Sequence, residues 1–191
     1  MKRLKTALGL GGILPDDSIN YVASHFRELR LKAEEDFSHY GKVANEIGFV
    51  DEGVLRIVSP TPKGEEITKY FVRHNQFITD LESYYSRQPS ESAIRAVLPS
   101  RVYTIQDKVW NKLSEEVPKL YILTKTLTET ALLNKIKDND FLNFGTAMEK
   151  YREFLRRYPD LALSVPQQYI ASYLKITPQS LSRIRKQLAN Q

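Results

Sequence analysis

Read from its first residue, the chain changes hydrophobic period twice. Through about the first 40 residues, Ile19, Val22, Ala23, Phe26 and Leu29 recur three and four apart, the spacing of one helix face. Asp16, Asp17 or Ser18 stands where that helix needs a cap. The opening MKRLKTALGLGGILPDDS reads as a small amphipathic helix and a loop, not as a targeting segment, because Gly9, Gly11 and Gly12 interrupt its apolar stretch. From Glu46 the texture shortens. Residues 46–50, 54–58, 66–72, 93–97 and 101–105 are short runs rich in Val, Ile, Tyr and Thr, separated by turn material such as Asp51-Glu52-Gly53 and Ser59-Pro60-Thr61-Pro62. Strands at that spacing predict a β-sandwich or barrel. After Asp107 the helical period returns and persists.

Pro118 predicts the first turn of a long helix to about Asp138. Leu120, Leu123, Leu127 and Ala131 form its main stripe, which Ile122, Leu133 and Ile136 widen. So wide a stripe must pack on something, either its own β-domain or the same helix of a second copy. Residues 141–158 predict a further helix, ended by Pro159.

The last stretch, VPQQYIASYLKITPQSLSRIRKQ, holds two short helices, 166–174 and 178–188, joined by Lys175-Ile176-Thr177. Ile170 and Leu174 share one face, Leu181 and Ile184 another, and Ala171 is small where the helices cross. Thr177 suits an N-cap and Pro178 a first helical position. This is a helix-turn-helix layout, whose second helix enters a DNA major groove. The turn usually takes Gly where Lys175 stands, since that residue adopts positive φ, at a cost of about 1–2 kcal/mol for a non-Gly residue. Thr177, Gln179, Ser180, Ser182, Arg183 and Lys186 are the candidate DNA-binding residues. Gln pairs with adenine and Arg with guanine, while Ser and Lys serve phosphates or either role.

Charge agrees with that placement. The chain carries +5 overall, yet from Lys150 onward there are eight Lys/Arg against Glu153 and Asp160, so the first 149 residues sum to −1. A surplus confined to one module fits a polyanionic partner. Cysteine is absent, which excludes disulfides, thiolate zinc sites and cysteine-held iron–sulfur clusters. No apolar run approaches the ~20 residues of a membrane span, and a cytoplasmic location is expected. His25, His39 and His74 are isolated, Glu65-Glu66 and Glu34-Glu35-Asp36 read as solvated charges, and no metal site, cofactor or enzyme activity is expected.

The order of parts then becomes recognisable. Strands around DEGVLRI, the segment FITDLESYYSRQPSESAIRAV, a long helix and the terminal YIASYLKITPQSLSRIRK resemble the cyclic-AMP receptor protein and FNR (Crp/Fnr) family of bacterial transcription regulators. GEEITKYF and DLESYYSRQPS look most like its members from Bacteroidetes. The resemblance implies an α+β chain: a cyclic-nucleotide-binding-like sensor β-roll with flanking helices over 1–117, a dimerisation helix and hinge over 118–140, and a helical DNA-binding domain over 141–191. It also implies a homodimer on palindromic double-stranded DNA, with RNA polymerase as a further partner. By that resemblance, Thr79, Asp80, Leu81, Ser90, Glu91 and Ser92 occupy the effector-binding positions. Thr79-Asp80-Leu81 stands where cyclic-AMP binders have Gly-Glu-Leu, and Pro89-Ser90 where they have Pro-Arg. Ser90 supplies no charge to a phosphate and Glu91 repels one, so an effector other than cyclic AMP is expected, with Arg87 or Arg95 as substitute cations. A sensor controlled by a protein partner or by abundance is the alternative. On the reading helix, Pro178, Gln179 and Arg183 match base-contacting positions. The chain stops at Gln191, so no β-wing is expected.

Overall fold

The computed structural model describes residues 1–190; Gln191, the end of the expected C-terminal domain, lies outside the described residues. The chain forms two compact units, one comprising Met1–Ser59 and Tyr70–Glu129, the other Pro60–Lys69 and residues 130 onward.

The first unit opens with α1 (Lys2–Leu8) and α2 (Asp16–Ser24). Strands β1 (Arg27–Leu31), β2 (Asp36–Ser38), β3 (Glu46–Glu52), β4 (Val54–Pro60), β5 (Glu66–Arg73) and β6 (Gln76–Ile78) follow. Next come α3 (Leu81–Ser86), β7 (Ala93–Ala96), β8 (Ser100–Gln106), α4 (Asp107–Glu116) and the start of α5 (Lys119–Asn143). The strands form two four-stranded sheets, ordered β1-β8-β3-β6 and β2-β7-β4-β5. The period of two explains how one strand serves two cores. Val50 and Val102 point between the sheets, where they meet Leu31, Leu55, Val72, Ile78, Ile94 and Ala96. Their neighbours Phe49, Tyr103 and Ile105 point the other way, into a core with Leu4, Leu8, Val22, Trp110 and Leu113 from the helices. The β3–β4 turn rests on Gly53 at φ +95, where an added Cβ would lie 2.7 Å from the Ser100 Cα. No L side chain fits there.

The expected helix through Phe26 and Leu29 ends instead at Ser24. Arg27–Leu31 pairs antiparallel with β8, Leu29 opposite Val102 and Leu31 opposite Ser100. Leu29 and Leu31 thereby reach the core between the sheets, so edge pairing overrides a periodicity that fits either reading over a few residues. The three-residue strands β2 and β6 are too short to show a period at all.

The stripe on α5 divides. Leu120 and Leu123 are fully buried beside Trp110 and Leu113, with Leu127 at the margin of the same core. Ile122, Leu132, Leu133 and Ile136 are half exposed or more.

The second unit contains Pro60–Lys69, which includes the first half of β5, and the rest of α5, then α6 (Ala147–Arg157), α7 (Pro159–Ser164), α8 (Gln167–Tyr173) and α9 (Pro178–Ala189). The helix expected over 141–158 is in fact interrupted. Gly145 takes φ +96 and Thr146 opens α6 with a capping box to Glu149, so the residues between belong to a turn. Tyr151 and Phe154 of α6 are buried, as are Leu161, Ile170, Ala171, Tyr173, Leu174, Leu181 and Ile184. Pro159 does end α6, and it begins α7 as its first residue.

Candidate nucleic-acid interface

Helices α8 and α9 meet through a Schellman turn. The Ile176 N–H donates to Ala171 O at 3.0 Å and the Lys175 N–H to Ser172 O at 3.1 Å. Lys175 holds the left-handed position at φ 58, as the motif requires. Its Nζ donates to Asn143 Oδ1 at 2.8 Å. The Thr177 hydroxyl oxygen accepts the Ser180 N–H at 3.1 Å and lies 2.9 Å from the Ser180 hydroxyl, so both side chains close the start of α9. Gln167 Nε2 donates to Pro178 O at 3.0 Å, tying the starts of the two helices together.

With Leu181 and Ile184 buried, α9 turns an opposite face outward. Gln179, Ser182, Arg183 and Lys186 are all exposed at spacings of three, four and seven, one continuous polar stripe. Thr177 is exposed beside it and Ser180 half-buried. Arg185, which the sequence left out of the candidate set, is half-buried. Arg185 turns inward, donating to the Tyr151 hydroxyl at 2.8 Å and to Ala162 O at 2.7 Å, with its guanidinium over the Tyr151 ring. Its position next to the buried Ile184 was the available signal. Arg157 is also internal, ion-paired to Asp138 at 3.0 Å and Glu153 at 2.6 Å. Arg156 adds a second cation to Glu153, and these two guanidinium groups hold the Glu153 carboxyl down to about 2.

Three of the effector-matching residues, Asp80, Ser90 and Ser92, form a second polar cluster at α3. Asp80 caps this helix, one carboxylate oxygen accepting the Ser83 N–H at 3.2 Å. Its other oxygen accepts from the Ser90 hydroxyl. Ser90 also takes the Ser92 N–H at 3.0 Å and approaches Ser92 O at 2.7 Å, its single proton serving one acceptor at a time. Ser59 donates to Glu91 O at 3.0 Å and lies 2.8 Å from the Ser92 hydroxyl. The Ser83 hydroxyl accepts the Ala44 N–H at 3.0 Å and donates to Gln88 O. Ser59, Ser83, Ser90 and Ser92 are all buried. Thr79 stands apart, donating to Glu46 O at 2.9 Å, while Leu81 and Glu91 face solvent. Arg87 and Arg95, the expected substitute cations, are engaged elsewhere, Arg87 with Asp107 and Arg95 with Asp36, each at 2.6 Å.

Among the described residues, no group of three or more His, Asp or Glu is placed to hold a metal ion. No helix among them is long and apolar enough to cross a membrane.

The sequence matches no family model and no curated protein. Solved structures do resemble it. FixK2 from Bradyrhizobium japonicum superposes with a TM-score of 0.76 at 19% identity, over 86% of this chain and 85% of that one. CLP, a c-di-GMP responsive global regulator of Xanthomonas campestris, gives 0.71 at 15% identity over 92% of both chains. A transcriptional regulator of the Crp/Fnr family from Eubacterium rectale gives 0.71 at 15%, over 96% of this chain and 88% of its own. Two antiparallel sheets followed by a long helix and a helical C-terminal unit are thus the fold this chain shares with regulators of the Crp/Fnr type.

Proposed function

We propose that the chain is a Crp/Fnr-like, cytoplasmic transcription regulator, of the kind found in Bacteroidetes, that binds a palindromic operator as a homodimer. The observation that carries this reading is the outward stripe of α9, Gln179, Ser182, Arg183 and Lys186, set on a buried helix pair by a Schellman turn. Arg183 reads a base and Lys186 a phosphate, while the capped start of α9 offers backbone N–H groups to a second phosphate. Dimer contact runs along the exposed apolar face of α5, and RNA polymerase is the onward partner.

In-vitro selection of DNA sites by the purified chain tests this. The expected product is a palindrome with half-site centres about 34–36 Å apart, one helical turn. Arg183→Ala should weaken binding to the selected site by about 10- to 100-fold, the worth of a bidentate base contact at ~1–3 kcal/mol, with the dimer intact. Unchanged selectivity would remove Arg183 from the reading.

For the sensor, a specific observation favours control by a protein partner or by abundance over a small-molecule effector. Both Asp80 oxygens are bonded within the fold, and Ser90 is buried in a hydroxyl network where an arginine would meet a phosphate. A thermal-shift screen of cyclic nucleotides and small acids should leave the melting point unmoved. A rise that grows with concentration would restore the effector reading.

A further inference from the structure

From Glu129 to Asp140 every residue of α5 is exposed except one: Asp138 is 2% exposed. The apolar residues of this stretch, Ala131, Leu132, Leu133 and Ile136, all face solvent, and apolar anchorage resumes only at Phe141 and Leu142. A buried carboxylate needs partners, and Asp138 has three. One oxygen accepts from Arg157 Nη1 at 3.0 Å, and the other from the Tyr158 hydroxyl at 2.5 Å and the Tyr173 hydroxyl at 3.1 Å. Arg157 lies in α6, Tyr158 ends that helix, and Tyr173 is the last residue of α8. Two residues beyond Tyr173, the turn that launches α9 begins to reverse the chain. Arg157 is itself fixed, by Glu153 and by the Phe141 ring 4.9 Å below its guanidinium.

We propose that Asp138 is a positioning residue: it sets the rotation of α8 and α9 about the axis of α5, and through it the spacing of the two reading helices in a dimer. The proposal rests on the DNA-binding reading above. Hydrogen bonds to a carboxylate are directional and, with an ionised partner, about twice as strong as neutral ones. The Phe141 ring, 6.3 Å from that of Tyr173, holds α5 near α8 without defining an angle. Asp138 defines it, because its two oxygens bind α6 and α8 at once. Half-sites one helical turn apart tolerate little error in that angle.

The test uses the full chain, whose lack of cysteine allows site-specific spin labels at Lys135→Cys and Gln187→Cys, diluted into unlabelled protein. The label-to-label distance should be narrowly distributed in the parent and broad in Asp138→Asn and in Tyr173→Phe. Affinity for the selected operator should fall about tenfold or more in both, while non-specific binding at low salt, set by charge alone, stays within about twofold in Tyr173→Phe, which leaves the charge unchanged. Tyr173→Phe deletes a single hydroxyl and serves if Asp138→Asn loses its helical circular-dichroism signal. Distributions as narrow as the parent's, or broad ones with undiminished operator affinity, would overturn the proposal. If the parent selects no DNA site, the DNA-binding reading fails, and the distance arm alone then decides whether Asp138 sets the angle.

Discussion

At the scale of single residues, the interface depends on positions where local geometry and side-chain identity pull apart. Lys175 occupies φ 58, a region that costs an L residue about 1–2 kcal/mol, and its side chain makes an exposed hydrogen bond to Asn143. Lys175→Gly relieves that cost but loosens the unfolded chain, which takes back about 0.4–1 kcal/mol. The net expectation is a gain of about 0.5–1 kcal/mol in urea unfolding, with the denaturant slope unchanged. A loss of stability would mean that the turn depends on the lysine itself. Ser90 illustrates the converse case: the residue type suggested a missing cation, and the fold turns it into part of a buried network with Asp80 and Ser92. Arg185 shows how far type alone misleads, because it carries the same charge as Arg183 and points into the protein.

Among the elements, α5 carries two apolar faces, one buried and one exposed. Leu120 and Leu123 are fully buried against the first unit's core, so Leu123→Ala should cost about 2–5 kcal/mol and lower the melting point whatever the oligomeric state. Leu132, Leu133 and Ile136 expose half or more of their surface, a concentration that an isolated chain has no reason to keep. Leu133→Glu with Ile136→Glu should therefore leave the fold within about 0.5 kcal/mol of the parent, as surface changes do. The same pair should convert a dimer to monomer in sedimentation velocity. A double variant that stays dimeric moves the seam elsewhere; one that unfolds shows that the face is internal.

For the whole molecule, the cationic surplus of the last fifth is smaller in effect than in count. Of eight Lys and Arg from Lys150 onward, Arg157 and Arg185 are engaged inside the fold. That leaves at most six per protomer for phosphates, so the slope of log K against log salt for a dimer should be no steeper than about −11, at ~0.9 per neutralised phosphate. A steeper slope would require cations from the first unit. Much of this architecture was legible in the sequence. Apolar period placed the strands of residues 46–105, the long helix and the terminal helix pair, and the residues Thr177, Pro178 and Lys175 marked the turn, because burial of alternate or every third-and-fourth side chain is a local constraint that a linear pattern records. The tertiary structure alone decided the strand at Arg27–Leu31, the division of the α5 stripe, the pairing of Arg185 with Tyr151 and Ala162, the closure of Asp80 by Ser90 and the convergence of Arg157, Tyr158 and Tyr173 on Asp138. Each of these depends on a partner distant in the chain, and hydrogen bonds or packing between remote residues leave no period for the sequence to show.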